Sequence, residues 1–285
     1  MPELGIFLGS LIGDGTEQLR RAGIPEARRQ TLQIWGELRG GCVGERLLER
    51  DLQVEPATAI DFQRAIQRRA SGEPLAHVTG RAGFRHLTLR SDGRALIPRP
   101  ETEGLVELLL QRVRTGLVAD VGTGSGCIAL SLAREGSFRR VLGIDCSSEA
   151  LALARVNAQL LGKPDVDFVR ADLCTPLSPG SFDALIANPP YLTLGEYAAL
   201  DASVRDWEPA LALRSGIDGL DSTTRIMDEG RAVLRPGGWL ALEVDCTRAT
   251  VVAGLASRYS WEHVSLHQDL FGRERYLLAQ RSNAQ

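Results

Sequence analysis

Leu117-Val118-Ala119-Asp120-Val121-Gly122-Thr123-Gly124-Ser125-Gly126-Cys127-Ile128-Ala129-Leu130 decides the fold. A short apolar run ends in an acid and a valine. Three glycines then alternate with two hydroxyl residues, and an apolar helical pattern follows. This is a strand-to-helix turn. Glycines there let a backbone approach a ligand, and a helix N-terminus offers N–H groups to an anion. The loop alone does not choose among ligands, since dinucleotide-binding folds use similar glycines and a bare turn can look the same.

Outward from this loop, strands and helices alternate. Apolar strands are expected at Val141–Asp145, Val166–Val169, Phe182–Ala187 and Trp239–Val244, in addition to Leu117–Val121. Helices are expected at Glu149–Leu161 and Ser222–Leu234, and an earlier one carries Leu105, Leu108, Leu109 and Val113. Pro236-Gly237-Gly238 reads as the turn into the strand at Trp239. His263–Leu270 and Tyr276–Gln280 read as a closing hairpin-like pair. Alternation of this kind predicts an α/β fold, a mostly parallel sheet with helices on both faces.

The first 73 or so residues read as short helices. One follows Pro25 with Leu32, Trp35 and Leu38 at helical spacing and ends at Gly40-Gly41. Another starts near Pro56, carries Ile60, Phe62 and Ile66, and stops before Ser71-Gly72. Phe84, Leu87 and Leu89 lie among polar residues, Ser91-Asp92-Gly93 has turn composition, and Ala95-Leu96-Ile97 follows, a pattern that predicts a hairpin. The expected organisation is a helical domain over 1–76, a β-hairpin linker over 77–100 and an α/β domain over 101–285.

The net charge of −3 gives no global basic field for holding phosphate backbones. Five cysteines, Cys42, Cys127, Cys146, Cys174 and Cys246, show no zinc spacing, so free thiols in a reducing cytoplasm and no metal are expected. The apolar start, Leu4–Ile12, lacks a basic leader and a cleavage site, and no run approaches the roughly 20 apolar residues that span a bilayer. Lys163 is the only lysine, and no function attaches to that.

Chemistry concentrates at two places. Gly122, Thr123, Gly124, Ser125 and Gly126 form the candidate donor loop. Asp145 ends the next strand, where a carboxylate can accept both hydroxyl protons of a ribose or cap the helix after it. Leu173 would wall an adenine, while Asp172 either accepts from its amino group or caps a turn. In S-adenosylmethionine, the anion at the helix start would be the methionine carboxylate.

The second place is Asn188-Pro189-Pro190-Tyr191, directly after a strand. An amide nitrogen is a poor nucleophile because its lone pair is delocalised. Two acceptors, the Asn188 side-chain oxygen and the Pro189 carbonyl, can grip the two hydrogens of such a nitrogen and aim its lone pair at a methyl donor. Pro189 forces Asn188 into an extended conformation, and both prolines lack N–H donors. Tyr191 can pack its ring on the flat target group. Together the two motifs indicate an N-methyltransferase. A nucleic-acid amine poses the same problem as an amide, and a nicotinamide enzyme would use the glycine loop and Asp145 while leaving Asn188–Tyr191 idle.

At this level the chain resembles the protein-(glutamine-N5) methyltransferases that modify peptide chain release factors. Leu96-Ile97-Pro98-Arg99-Pro100-Glu101-Thr102-Glu103 carries the resemblance with Gly122–Gly126 and Asn188–Tyr191. Gly72-Glu73-Pro74-Leu75, Glu208–Leu213, Asp218-Gly219-Leu220, and Asp269 with Arg273 and Arg275 add to it, over roughly residues 60–280. The resemblance implies a class I S-adenosylmethionine-dependent methyltransferase, Rossmann-like, with a seven-stranded sheet and a helical N-terminal domain that engages the substrate protein. It implies donor binding by Gly122–Gly126, Asp145, Leu173 and Asn188. Asn188, Pro189, Pro190 and Tyr191 would hold the glutamine of a Gly-Gly-Gln loop in class-I release factors. No membrane and no direct nucleic-acid substrate are expected. Arg99–Thr102 is expected beside the donor's methionine end, with a helix-start signal accounting for part of it. The chain departs from the family at His77, where tyrosine is common, and at Asp245-Cys246-Thr247-Arg248, where a glycine and then a glutamine-bearing turn are usual.

Overall fold

The computed structural model describes residues 6–40, 51–162 and 164–283. Gly41, Cys42 and Lys163 lie outside these residues, as do Leu4 and Gly5 of the apolar N-terminal run. The chain divides into two units, Met1–Arg81 with Asp201–Trp207, and Ala82–Leu200 with Glu208–Gln285.

In the first unit, β1 (Ile6–Phe7) precedes α1 (Leu8–Arg21), α2 (Ala27–Arg39), β2 (Gln53–Val54), α3 (Pro56–Ala70) and α4 (Leu75–Thr79). β1 and β2 pair antiparallel. Of the apolar N-terminal run, Ile6 and Phe7 form exposed β1, while Leu8–Ile12 open α1, which buries Leu8, Leu11, Ile12 and Leu19 at helical spacing. Ile34 and Trp35 of α2 and Phe62 and Ile66 of α3 complete this core. Trp35 meets Phe62 edge-on, with ring centroids 5.7 Å apart. Leu38 and Ile60 were expected on the same faces, yet they are 43% and 48% exposed. The buried stripe is narrower than the apolar pattern, so both fall outside it.

At the start of the second unit, from Ala82, the chain forms β3 (Arg81–Phe84) and β4 (Leu87–Arg90), which pair as a two-stranded sheet. The turn lies at Arg85-His86, not at Ser91–Gly93, and Ala95–Ile97 is not a strand. Arg85 adopts a left-handed conformation, φ 49°. Its guanidinium donates to Glu135 at 2.6 and 2.7 Å and to Glu107 at 2.9 Å. Those bonds offset the cost of an uncommon backbone. The chain continues through α5 (Pro100–Leu110), β5 (Thr115–Val121), α6 (Cys127–Glu135), β6 (Ser137–Asp145), α7 (Ser148–Leu160), β7 (Val166–Arg170) and β8 (Phe182–Ala187). After α8 (Leu194–Ala198) the chain passes through α9 (Ala202–Arg205), a segment of the first unit. It then forms α10 (Asp221–Val233), β9 (Leu234–Glu243), α11 (Ala249–Arg258), β10 (Trp261–Gln268) and β11 (Glu274–Arg281).

Seven strands lie in the order β10-β11-β9-β8-β5-β6-β7. β9, β8, β5, β6 and β7 run parallel, and β11 is antiparallel to both β9 and β10. The closing hairpin expected from the tail is therefore present as the edge of the main sheet. Pro236-Gly237-Gly238 is not a turn before β9 but an irregularity within it, since Phe182 pairs with Leu234 and Ala184 next with Trp239.

Side chains alternate across the sheet. Ala119, Val121, Leu185, Leu240 and Leu242 join α10 and α11 in one core. Val118, Ala184, Ile186 and Leu278 join α5, α6 and the hairpin in the other. Both faces are covered, which is why these strands read as continuous apolar runs. Leu185 is fully buried at the middle of the sheet. Leu185→Ala is expected to destabilise the protein by about 2–5 kcal/mol, read as a lower denaturant midpoint in chemical unfolding.

Candidate active site

Strand register gathers the site. Val121 pairs with Ile144, Asp120 with Ile186, and Ala187 with Leu242. The residues that follow those pairs are Gly122, Asp145, Asn188 and Glu243. The glycine loop, the acid after β6, the proline string after β8 and the last residue of β9 are thus neighbours at one end of the sheet. β5 connects to β6 on one side while β8 lies on its other side, and the loops diverge there. Such a switch point leaves a crevice beyond the carboxyl ends of the strands.

A cleft of about 340 Å³ occupies that crevice, within the range of roughly 300–1,000 Å³ common for small-molecule sites. Of the sequence candidates, Gly122, Thr123, Gly124, Ser125, Asp145, Leu173, Asn188 and Pro190 line it, as do Arg99, Thr102 and Asp172. Gly126, Pro189 and Tyr191 do not. Gly126 instead sits at the N-cap of α6 with φ +83° and faces Ala154 and Leu130. Pro189 is buried.

The loop's N–H groups are mostly spent on holding the loop. Gly122 N and Thr123 N donate to the Ile144 carbonyl at 2.8 Å, and Gly126 N to the Thr123 carbonyl at 2.8 Å. Gly124 N donates to Asp145 Oδ2 at 2.9 Å. Ser125 N and Cys127 N have no partner among the described residues, and both residues line the cleft. The anion-binding capacity expected of the whole loop therefore narrows to these two donors.

Asp145 also accepts from Ser147 N at 2.9 Å. It does not cap α7, because Ser147 does so by accepting from Ala150 N. Each Asp145 oxygen keeps unused lone pairs toward the cleft it lines. Asp172 pairs with Arg225 at 2.9 Å, and its carbonyl accepts from Thr175 N. Leu173 adopts a left-handed conformation, φ 49°, where it lines the cleft.

Asn188 Nδ2 donates to Thr102 Oγ1 at 3.0 Å, and Thr102 Oγ1 donates to Glu243 Oε2 at 2.7 Å. Among the described residues, no hydrogen bond takes Asn188 Oδ1 or the Pro189 carbonyl. The helix-start signal in Arg99–Thr102, read as the alternative to a place beside the donor, does not take Thr102 as its cap. Arg99 occupies the cap position instead, Pro100 opens α5, and the Thr102 hydroxyl turns inward.

Surrounding residues hold these groups still. Buried Glu208 accepts from Ile97 N at 2.9 Å and from Arg99 at 2.6 Å. Gly219, φ +81°, leaves no room for a side chain against the Tyr191 carbonyl. In the departing segment Asp245–Arg248, the Arg248 guanidinium bonds Glu196 at 2.7 Å and the Asp218 carbonyl at 2.9 Å. The departure thus builds its own clasp beside the string after β8.

Two buried acids lie close to the site. Asp120 accepts from Thr123 Oγ1 at 2.6 Å and Ala129 N at 3.1 Å, but its Oδ1 has no partner among the described residues. Burial pushes its carboxyl up to about 7. Burial likewise pushes the Glu243 carboxyl up to about 7, against the Thr102 hydrogen bond and the nearby Arg275. Among the described residues, no cluster of His, Cys, Asp and Glu could hold a metal, and no helix is long and apolar enough to cross a membrane.

The PrmC N-terminal domain family matches residues 10–80, and the Methyltransferase small domain family matches residues 100–205. A protein of Deinococcus radiodurans named release factor glutamine methyltransferase is 39% identical over 278 residues, 96% of this chain and 99% of that one. One of the same name from Nitratidesulfovibrio vulgaris is 41% identical over 242 residues, 83% and 82% of the two chains. The chain belongs to the release factor glutamine methyltransferase family. In three dimensions this methyltransferase is similar to one from Pyrococcus furiosus, with TM-score 0.53 and 18% identity over 69% of this chain and 90% of that one. That likeness is one of fold, the class I methyltransferase sheet.

Residue-level reading of the methyltransferase missed Glu243. Its signal was an acid inside an otherwise apolar strand, Trp239–Val244, next in register to the asparagine of the proline string. Asp120 carries the same signal and gives a testable consequence. A carboxyl raised in the folded state adds stability below its ordinary range near 3.8, and loses it as pH rises to about 7. For Asp120→Asn, the fall in thermal midpoint between about pH 5 and about pH 8 is expected to be smaller than for the wild type, as followed by circular dichroism.

Proposed function

We propose that this chain transfers a methyl group from S-adenosylmethionine to the side-chain N5 of the glutamine in the Gly-Gly-Gln motif of class-I peptide chain release factors. It does so in the cytoplasm and thereby tunes translation termination. The observation that carries this is Asn188: its Nδ2 is committed to Thr102, so its Oδ1 is left as a free acceptor in the cleft. An acceptor in that place suits an amide N–H. The names of the relatives supply the release factor as the amide's source.

The residues present fit the donor. The Asp145 carboxylate lines the cleft with lone pairs for two ribose hydroxyls, Ser125 N and Cys127 N suit a carboxylate, and Leu173 offers an apolar wall. When bound, S-adenosylmethionine supplies an electrophilic methyl on a sulfonium that becomes a neutral thioether. Asn188 Oδ1 and the Pro189 carbonyl each accept one N–H of the glutamine amide, which fixes the NH2 plane and turns the lone pair outward. As the new C–N bond forms, one of those protons leaves to solvent, and the remaining acceptor holds the methylated amide. Tyr191 packs on the flat amide. The helical N-terminal domain, 1–76, engages the release factor, and residues 77–100 join it to the catalytic domain.

Asn188→Ala is expected to fold and bind donor, and to lose roughly 100-fold or more in kcat. Wild-type turnover in that variant would remove Asn188 from the chemistry. Asp145→Ala is expected to weaken donor binding by about 10-fold in calorimetry, with a smaller effect on kcat at saturating donor. Mass spectrometry of a release factor incubated with enzyme and donor is expected to place one added CH2 on the Gly-Gly-Gln peptide. Label on ribosomal RNA or duplex DNA instead would refute the assignment.

A further inference from the structure

A carboxamide presents an acceptor on one side and a donor on the other, and a half-turn about its last bond exchanges them. Methyl transfer to an amide needs the Asn188 oxygen, not its NH2, to face the substrate. A hydroxyl beside Asn188 does not decide this by itself, because Thr102 can donate or accept. The next group along decides. Glu243 Oε2 takes the single Thr102 hydroxyl proton at 2.7 Å. Only lone pairs of Thr102 Oγ1 then face Asn188, and they accept Nδ2 at 3.0 Å. Thr102 and Glu243 are each 2% exposed, so water does not compete for either group.

We propose that Glu243 is a positioning residue for the reaction, which holds the Thr102 proton and so fixes the Asn188 carboxamide with its oxygen toward the substrate amide. This rests on the assignment of Asn188 as the N–H acceptor. The ionised form of Glu243 is the one that works. Once protonated, Glu243 donates to Thr102, the Thr102 proton becomes free to point at Asn188 Oδ1, and the carboxamide turns its NH2 to the substrate. Two N–H groups then oppose each other where an acceptor is needed.

The charged and titratable groups facing Glu243 come from every side. Arg99 and Glu101 lie at the start of α5, Arg275 and Tyr276 on β11, Tyr191 after β8 and Cys127 on α6. The two arginines favour the carboxylate, while burial and Glu101 oppose it, and the balance lies at about 7. Because the raised pKa belongs to the group that must be ionised, turnover is present above that point and lost as pH falls through it.

The test is the pH dependence of kcat, at saturating donor and release factor, for wild type, Glu243→Gln, Thr102→Val and Thr102→Ser. Wild-type kcat is expected to fall with one titration near pH 7. The carboxamide introduced by Glu243→Gln offers Thr102 an oxygen that does not titrate, so that acid limb is expected to vanish in this variant. Thr102→Val is expected to lower kcat by roughly 10- to 100-fold, with binding of S-adenosylhomocysteine little changed, and Thr102→Ser to restore most of the loss. An acid limb that persists in E243Q would assign the titration to another group, such as Asp120, and overturn the proposal. So would wild-type kcat in T102V. Should T102V fail to fold, E243Q and the wild-type profile decide alone. Wild-type turnover by Asn188→Ala would overturn the assignment beneath the proposal instead, so the two failures are separable.

Discussion

β5 is hydrogen-bonded by parallel neighbours on both edges, and that one constraint places everything else. Because β6 and β8 are both in register with it, the loops leaving the three strands emerge side by side. A slip of one residue in β8 would turn Ala187 outward, carry Asn188 to the opposite face and part it from Thr102. The cores on both faces forbid such a slip, since they depend on Ala184 and Ile186 facing one way and Leu185 and Ala187 the other. Hydrophobic packing far from the cleft therefore sets the distance between the glycine loop and Asn188.

Within this frame the buried acids do what apolar residues could not. Asp120 ties the glycine loop to α6 through Thr123 and Ala129. Glu208 ties the segment before α5 to the loop after β8. Hydrogen bonds to a charged group contribute about 1.5–3 kcal/mol each, and leaving such a buried group unpaired costs more. A loop fastened this way has one arrangement. Asp120 Oδ1, without a partner among the described residues, departs from that economy, and burial pushes the carboxyl up to about 7.

Much of this was legible in the sequence. Strand positions followed from apolar runs, and most residues of the two motifs line the cleft, though Gly126, Pro189 and Tyr191 do not. Polar connections were not legible, because they join residues far apart in the chain: Thr102 meets Glu243 across 141 positions. Thr102 looked like a cap because caps and inward hydroxyls share a composition, and only packing separates them. Ser91–Gly93 looked like the hairpin turn for a similar reason. There, the ion pairs of Arg85 outweighed turn propensity. Leu38 and Ile60 show the reverse limit, since periodicity marks a face but not its width.

The hairpin of β10 and β11 extends the sheet, and it also finishes the enclosure around Glu243. Arg275 takes the amide of Val244 on its carbonyl, and the Tyr276 hydroxyl donates to the Glu101 carbonyl at 2.5 Å. Both residues come well after the glycine loop and Asn188 in the chain. On the ribosome, where synthesis runs from the N-terminus, the glycine loop and the asparagine emerge long before the wall that shields their controlling carboxylate. A nascent polypeptide stalled before residue 274 would hold both motifs and still leave that carboxylate open to water.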